Sequence, residues 1–352
     1  MKKLFDKNIK IIHTPTNIAG QMEVLSRAQR AIGYNSYSCS YADNWGMFKC
    51  DNCLHLELID NKNFRCFCML RFFVNAIRKY DVFHFHFGST LLPRNVDLPL
   101  LKALDKPMIM HYWGSDIRQK SIAERKNNFV KVKFEDENKI IDRLKRISKY
   151  IDIAIVADYE LYEYVREYFK KVVVIRQAIE LQKFAPYFPL RGKTKFVIVH
   201  APSDKGIKGT KYVIEAVKRL KTKYEIEFVL VYQMPHQQAK EIYQRADIIV
   251  DQILGGTHGI FSVEAMALGK PVICYIREDL RGTYPEELPI VSANPDNIYT
   301  QLKMLLENSD LCHELGAKGR IYTEKYHDSH KIARDLVKVY EELIAKNRKK
   351  KK

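Results

Sequence analysis

The chain has 352 residues, of which 46% are hydrophobic and 29% are charged. At roughly 100–200 residues per domain, this length predicts two globular domains, and the apolar content excludes a disordered chain. The net charge of +17 bears on partners and solubility rather than on fold. No apolar run approaches the ~20 residues that span a bilayer, and the charged N-terminus lacks the apolar centre of a signal peptide. We therefore expect a cytoplasmic protein.

Short β-branched runs alternate with amphipathic stretches in the first half of the chain. Strands are predicted at residues 9–13, 82–85, 108–111, 153–156 and 172–175, and a helix is predicted at 21–32. Unbroken apolar runs are typical of strands that are covered on both faces, as in a parallel sheet. We expect an α/β domain over residues 1–186.

A polar stretch with prolines, residues 184–194, interrupts this pattern and predicts an interdomain linker. Further strands are predicted at 195–200, 227–231, 248–250 and 272–275, with helices at 211–221, 235–245 and 263–268. This half predicts a second α/β domain over residues 195–327. A long amphipathic helix at 328–345 and a basic tail at 346–352 follow.

A glycine turn, residues 255–259, follows the predicted strand 248–250 and leads into a helix that carries Glu264. Such a turn offers free backbone N–H groups and the positive end of the helix dipole, which suit a diphosphate. Glu264 lies about one turn into the helix, where a carboxylate can accept two hydrogen bonds from a ribose diol. The alternative is an ordinary strand-to-helix turn with a solvated glutamate. The candidate donor-binding residues here are His258, Gly259, Ile260, Phe261 and Glu264.

Residues 261–273, which read FSVEAMALGKPVI, resemble the signature of the retaining family 4 (group 1) glycosyltransferases. The resemblance implies the GT-B fold, with two Rossmann-like domains facing across a cleft and a C-terminal helix returning to the N-terminal domain. It also implies that Glu264 binds the nucleotide ribose and that the amides of Ile260 and Phe261 contact the diphosphate. The first glutamate of the family signature falls at Gly256, which leaves recognition of the donor sugar unassigned.

Residues 200–210 resemble the basic segment with which this family grips the pyrophosphate, and Lys205 and Lys208 are the natural counterparts. Two ammonium groups would neutralise the charge that grows on the leaving diphosphate. Lysines of a basic protein are otherwise commonly surface charges. Their place beside a glycine at a strand-to-helix junction favours the functional interpretation.

Segments of the first half resemble the same family. Residues 17–21 resemble its glycine loop, which implies that Gly20 is a donor-binding residue, and residues 81–86 resemble its Asp-Val-x-His-x-His strand. Residues 111–116 resemble its His-Gly-Ser-Asp segment, with Trp113 in place of the active-site histidine. His111 lies two residues earlier, on the same face of the predicted strand. It is either a substitute catalytic residue or a core histidine.

The resemblance implies transfer of a sugar, with retention, from a nucleotide-diphosphate donor. Uridine is the favoured base, because it is common among donors of this family. The acceptor would be a polysaccharide, a lipid-linked saccharide or a glycolipid of the cell envelope. The acceptor attacks on the face that the nucleotide leaves, and a phosphate oxygen takes its proton, so no protein nucleophile is needed. The sequence contains no Asp-x-Asp pattern, and we expect neither a metal nor another cofactor.

Residues 63–80 interleave aromatic side chains with arginines, which predicts a basic amphipathic helix on a membrane surface or a half-buried helix of the first domain. Residues 117–149 and the tail 346–352 add basic clusters of the kind that anionic lipids attract. We expect peripheral association with the inner face of the cell membrane.

Cys50, Cys53, Cys66 and Cys68, with His55, are candidate zinc ligands, but the single residue between Cys66 and Cys68 favours free thiols. Three other functions stay open. They are a sugar-nucleotide epimerase of the same fold, a non-catalytic partner that retains the fold, and a nucleic-acid binder. Net charge alone suggests the last, and since no nucleic-acid motif accompanies it, no nucleic-acid partner is expected.

Overall fold

The computed structural model describes residues 8–43 and 49–350. It divides into two compact units. The first unit comprises Met1–Gln119, Asp136–Ala178 and Ser329–Lys352, and the second unit comprises Lys120–Glu135 and Ile179–Asp328.

Both units are built from parallel strands joined by helices. The strands are β1 (Lys10–Thr14), β2 (Asn35–Ser40), β3 (Asn52–Cys53), β4 (Val82–His86), β5 (Met108–His111), β6 (Ile153–Val156), β7 (Lys171–Val174), β8 (Lys195–His200), β9 (Glu225–Leu230), β10 (Ile248–Val250) and β11 (Val272–Ile273). The helices are α1 (Gln21–Ala31), α2 (Lys62–Lys79), α3 (Leu98–Ala103), α4 (Lys120–Lys126), α5 (Glu137–Ser148), α6 (Tyr159–Val165), α7 (Lys205–Lys208), α8 (Thr210–Leu220), α9 (His236–Arg245), α10 (Ile260–Ala267), α11 (Glu278–Arg281), α12 (Ile298–Leu306), α13 (Ser309–Tyr326) and α14 (Ser329–Lys350).

The first unit contains a seven-stranded parallel sheet in the order β3-β2-β1-β4-β5-β6-β7. The predicted strands of this half are confirmed to within a residue at their ends. Strands β2 and β3 were not predicted, because β2 reads Asn-Ser-Tyr-Ser-Cys-Ser and has no apolar run. Its serines 36, 38 and 40 are nevertheless buried, so position in the sheet, rather than hydrophobicity, places them inside.

The C-terminal helix α14 completes the core of the first unit. Leu336 and Tyr340 of this helix are fully buried with Ile11 of β1 and Leu25 of α1. The predicted return of this helix to the N-terminal domain is therefore confirmed. Its backbone continues to residue 350, into the predicted tail 346–352, of which the side chains and the last two residues lie outside the described residues.

The second unit contains a four-stranded parallel sheet in the order β11-β10-β8-β9. Helix α10 is apolar on nearly every side and lies in the core, where Val263 and Met266 pack with Val199 and Ile249 of the sheet. A helix without a polar face has to be enclosed by protein. Its N-terminal turn is consequently held in one place against the sheet.

The division between the units differs from the predicted boundary at residue 186. Ile179 and Phe184 belong to the core of the second unit, and the Ile179 N–H donates to the His327 carbonyl at 2.8 Å. Residues 120–135 also join the second unit, where the Asn127 side chain donates to the Leu254 carbonyl at 2.7 Å. Contacts between residues far apart in sequence decide both assignments, and no local composition signals them.

Within residues 8–43 and 49–350, no helix is both long enough and apolar enough to cross a lipid bilayer.

Candidate functional site

The glycine turn of the second unit, residues 255–259, connects β10 to the N-terminus of α10. Gly259 is the residue before the helix and provides no side-chain cap, and Ile260 and Phe261 begin the helix half-exposed. The first N–H groups of a helix have no partner within it, and the dipole places partial positive charge on them. The structure thus places the predicted anion-binding amides at a partly open helix start.

Lys208 lies beside this turn. Its Nζ donates to Gln252 Oε1 at 2.8 Å and is 3.3 Å from Asp251 Oδ1. A Cβ on Gly259 would stand 3.9 Å from the same Nζ. The side chain of Lys208 is 17% exposed, so its ammonium is held against the turn rather than extended into solvent.

Asp251 is the buried partner of this ammonium. Burial alone would raise the pKa of the carboxyl, but Lys208 and a hydrogen bond from Ser262 Oγ at 2.7 Å bring it below the usual value. Asp251 is therefore ionised at neutral pH and positions the Lys208 ammonium. Sequence analysis missed this residue, although it directly follows β10 at the end of the strand that the turn extends.

Lys205, the other predicted lysine, is exposed. Its Nζ lies 4.3 Å over the ring of Tyr232, in a cation–π contact. Of the two lysines, Lys208 is the one that the structure brings beside Gly259.

Glu264 is buried in α10, where a solvated carboxylate would not be found. The nitrogen His236 Nε2, on the first residue of α9, is 2.9 and 3.0 Å from the two carboxylate oxygens. An ionised carboxylate has about four acceptor positions, so a ribose diol can still bind the remaining ones. Sequence analysis missed His236, because no local pattern links it to a residue 28 positions away.

His258 has its side chain in the core of the second unit. The residue is 3% exposed, and its ring lies 5.1 Å from the ring of Tyr284 and 5.8 Å from that of His327. Its contribution to the turn is therefore its backbone and its packing.

Gly256, which stands where the family signature has its first glutamate, has a φ of +84°. A Cβ there would lie 2.7 Å from Cγ of Arg277. The Arg277 side chain is almost fully buried and donates to Asp279 at 2.9 and 2.6 Å. In this chain an arginine stem fills the space into which a side chain at position 256 would grow.

Gly20, in the first unit, precedes α1 with a φ of +71°, a left-handed conformation that favours glycine. The Met22 N–H donates to Asn17 Oδ1 at 3.2 Å, and the Gln21 side chain bonds both the N–H and the carbonyl of Ala178 at 2.9 Å. The predicted glycine loop is thus tied down at its start and at its end.

His111 belongs to a cluster of four stacked imidazoles on β1, β4 and β5, which we call the histidine cluster: His13, His84, His86 and His111. All four are at most 1% exposed. Burial lowers the pKa of His13 to about 4 and holds the pKa values of the other three well below their usual value. The cluster is therefore neutral at physiological pH.

The loop that follows His111 is held by a buried carboxylate. Asp116 accepts the N–H groups of Trp113 at 3.1 Å and Gly114 at 2.8 Å. Burial raises the pKa of Asp116 to about 6, although these two N–H groups oppose the increase. The Trp113 ring, half-buried, stacks on His111 with a centroid distance of 4.0 Å.

All seven cysteines are free thiols. Within the described residues, the one grouping of His, Cys, Asp or Glu side chains close enough to share a metal ion is His13, His84 and His86. The four candidate zinc cysteines do not form such a grouping there.

Comparisons with known proteins agree with this architecture. A family described as glycosyl transferase-like matches residues 211–338. A sequence comparison with curated proteins found no match.

Several solved structures are similar over nearly the whole chain. Sucrose-phosphate synthase from Thermosynechococcus elongatus has 16% identity and a TM-score of 0.66, over 96% of this chain and 99% of that one. Anabaena HepE, in complex with UDP and glucose, has 12% identity and a TM-score of 0.66, over 95% and 99%. A putative UDP-N-acetylglucosamine 2-epimerase from Listeria monocytogenes has 13% identity and a TM-score of 0.58, over 94% and 95%.

At these identities the structural likeness speaks for the fold, and the family match speaks for the segment that carries the glycine turn. The predicted α/β class with two Rossmann-like units is confirmed. Residues 211–338 are thus similar to the glycosyl transferase-like family, and the chain has the GT-B fold of these solved structures.

Proposed function

We propose that the chain transfers a sugar, with retention, from a nucleotide-diphosphate donor bound by the second unit. The observation that carries this proposal is the Lys208 ammonium beside the open start of α10, with Glu264 buried one turn further on. Backbone N–H groups, a helix dipole and an ammonium together suit a diphosphate. A carboxylate at the distance of one helical turn suits the hydroxyls of the attached ribose.

These groups act on the charge of the leaving nucleotide. As the glycosidic bond breaks, negative charge grows on the diphosphate oxygens, and preorganised donors stabilise it. Lys208 is preorganised because Asp251 and Gln252 hold its Nζ at 3.3 and 2.8 Å. The acceptor hydroxyl attacks from the face that the diphosphate leaves, and a phosphate oxygen takes its proton. This chemistry asks for neither a protein nucleophile nor a metal ion.

Uridine is the favoured base of the donor, supported by the likeness to HepE in complex with UDP and glucose. Lys205 serves as a second, more exposed cation for the diphosphate. We assign recognition of the acceptor saccharide to the first unit, in which Gly20 remains a predicted donor-binding residue and His111 a predicted catalytic residue.

A thermal-shift and calorimetric panel of UDP, UDP-glucose, UDP-N-acetylglucosamine, UDP-galactose and GDP-mannose tests the donor class. We expect a uridine nucleotide to bind and EDTA to leave binding unchanged. Absence of binding across the panel would contradict the proposal. NMR of the product then separates transfer with retention from inversion, and a 2-epimerised nucleotide sugar would identify the rival epimerase activity.

We also propose that α2 brings the enzyme to the inner face of the cell membrane, where a lipid-linked or glycolipid acceptor of envelope polysaccharide synthesis resides. Phe64, Phe67 and Leu70 of this helix are 55%, 56% and 49% exposed. Arg71 and Arg78 are exposed on the same helix. Apolar side chains among cations favour an anionic lipid surface.

Flotation with vesicles of phosphatidylglycerol and phosphatidylcholine tests this placement. We expect a Phe64→Ser, Phe67→Ser double variant to lose most of the bound fraction. Ile321→Ser is the matched control, because Ile321 is 63% exposed on α13. Equal flotation of the double variant and the control would exclude α2 as the contact.

A further inference from the structure

A hydrogen-bond chain through the histidine cluster begins at the Trp113 indole, which can only donate. Trp113 Nε1 lies 3.2 Å from His86 Nδ1, so this nitrogen of His86 accepts. Burial keeps the His86 imidazole neutral, since its pKa is well below the usual value. A neutral imidazole has one proton, and on His86 that proton is on Nε2.

The proton of His86 determines the next two steps. His86 Nε2 is 3.1 Å from His13 Nδ1, so His13 accepts there and carries its own proton on Nε2. That proton is donated to Gln29 Oε1 at 2.9 Å. The other end of the amide, Gln29 Nε2, then donates to the Tyr340 hydroxyl at 3.1 Å.

Tyr340, on the C-terminal helix α14, continues the same direction. Its oxygen accepts from Gln29, and its own proton is donated to His84 Nδ1 across 2.6 Å. His84 therefore carries its proton on Nε2, which is 3.2 Å from His111 Nδ1. His111 accepts at Nδ1, and its proton is on Nε2.

The chain ends at that N–H. His111 Nε2 is buried and has no hydrogen-bond partner within residues 8–43 and 49–350. A buried donor left without a partner costs free energy, and in native proteins such a group calls for an explanation. His111 is the last residue of β5, at the carboxyl end of the parallel strands, where open α/β sheets bind their ligands.

A metal ion is the alternative explanation for three histidines whose ligand atoms lie within 4.8 Å. A histidine that binds a metal through one nitrogen carries its proton on the other. On His86 the other nitrogen faces the Trp113 indole, which cannot accept a proton. The rings of His84 and His86 also stack almost parallel, at 9°, so their lone pairs do not converge on one point.

We infer that this directed chain fixes His111 as a neutral imidazole whose Nε2–H donates to a sugar oxygen in the reaction proposed above. The chain runs in the order Trp113, His86, His13, Gln29, Tyr340, His84, His111. His111 acts as a hydrogen-bond donor and not as a base. Tyr340 is a positioning residue, which links the C-terminal helix to this role. Because Nε2 is covered in the free protein, ligand binding includes a small rearrangement of the side chains around it.

Long-range ¹H–¹⁵N correlation NMR of the full chain, labelled with ¹⁵N-histidine, tests the chain without any substrate. Single His→Gln variants assign the signals of the four cluster residues. We expect all four to be neutral, with the proton on Nε2. A cationic His111, or a proton on its Nδ1, would overturn the inference.

Substitution of Tyr340 by Phe tests the direction, because it removes the hydroxyl and keeps the ring. His84 and His111 come after Tyr340 in the hydrogen-bond chain, and we expect them to become mixtures of tautomers. His86 and His13 come before it and should keep the proton on Nε2. Tyr322→Phe, at another fully buried tyrosine in the second unit, should change none of them. Equal effects on all four, or none, would contradict a directed chain.

Trp113→Phe interrupts the hydrogen-bond chain at a second point and serves as the test if Tyr340→Phe does not fold. It removes the donor at the start of the chain, so all four imidazoles should lose the single tautomer. Retention of the Nε2–H form at every position would show that Trp113 does not set the direction.

The sugar contact rests on the proposed function and is tested separately with His111→Gln, which keeps an N–H near Nε2, and His111→Met, which does not. We expect the Met variant to bind its sugar ligand about tenfold more weakly than the Gln variant, with UDP binding equal in both. If the two variants differ in affinity for the nucleotide sugar that binds best in the panel, His111 contacts the donor sugar. If they differ in affinity for free glucose, His111 contacts the acceptor. Equal binding in both arms would overturn the contact, whereas a chain that binds no nucleotide sugar would overturn the proposed function and leave the tautomer result standing.

Discussion

The histidine cluster of the first unit and the glycine turn of the second unit treat the charge of their buried groups in opposite ways. In the histidine cluster, burial removes the charge, and the four imidazoles act as neutral donors and acceptors of hydrogen bonds. Beside the glycine turn the charge remains, since Lys208 and the buried Asp251 form an ion pair at 3.3 Å. In a neutral network, each group has a fixed donor side and a fixed acceptor side. A charged pair instead produces a strong local electric field. The first suits orientation of a sugar, and the second suits stabilisation of a diphosphate.

Acidification should have the largest effect on the free energy of unfolding, and this effect should arise in the first unit. The folded pKa of His13 is about 4 and the ordinary value is 6.5. Its contribution to stability is therefore complete above pH 6.5 and is lost as the pH falls toward 4. At pH 5 this loss is about 2 kcal/mol for His13, and burial lowers the pKa values of His84, His86 and His111 in the same direction. Asp116, with a folded pKa of about 6, gains on acidification and offsets only ~1 kcal/mol.

Urea denaturation at pH 7 and pH 5 measures this loss. The His13→Gln variant should show a pH dependence that is smaller by about 2 kcal/mol. His55→Gln is the control, because its side chain is 50% exposed. A wild-type stability that is equal at the two pH values would show that the cluster is not held neutral.

Lys208→Ala should lower turnover by about 100-fold, the scale of losing one preorganised donor to a developing oxyanion. It also leaves Asp251 buried without its cation, so the Lys208→Ala, Asp251→Asn double variant is assayed beside it to separate catalysis from folding. Lys211→Ala, at an exposed lysine three residues along the chain, is the control. Steady-state kinetics with unchanged kcat in the double variant would remove Lys208 from the charged site.

Gly256→Ala should destabilise the second unit by about 2–3 kcal/mol, through left-handed strain and contact with the Arg277 stem. Gly192→Ala measures the backbone strain alone, because Gly192 has a φ of +69° and no atom lies within 4 Å of a Cβ placed there. We expect this control to cost about 1 kcal/mol. Equal unfolding free energies of the two variants would mean that Arg277 moves aside freely.

Glu264→Gln should weaken binding of the uridine nucleotide about tenfold, or ~1.4 kcal/mol, since a neutral amide is a poorer acceptor for a diol. His236→Gln keeps the carboxylate and should have a smaller effect. Titration calorimetry compares the two variants. A larger loss in the His236 variant would assign nucleotide recognition to the histidine.

Most of the architecture followed from the sequence, because strands covered on both faces need unbroken apolar runs and amphipathic helices need a periodic face. The α10 helix and its turn were located in the same way, through glycines after an apolar strand. Strand β2 was missed because its buried residues are serines, and a sheet accepts polar residues whose hydrogen bonds are satisfied. The assignment of residues 179–186 to the second unit was missed because tertiary packing, rather than local sequence, places Ile179 and Phe184 in the core of that unit.

By itself, the sequence determined the fold class and the position of the candidate diphosphate turn, since each depends on residue types at short spacing. Tertiary structure alone decided which charges meet, as with Lys208 and Asp251, 43 residues apart. It also decided the state of His111, because Tyr340 is 256 residues from His84 in sequence and 2.6 Å from it in space. A proton on an imidazole is placed by the groups that surround it, and folding is what brings those groups together.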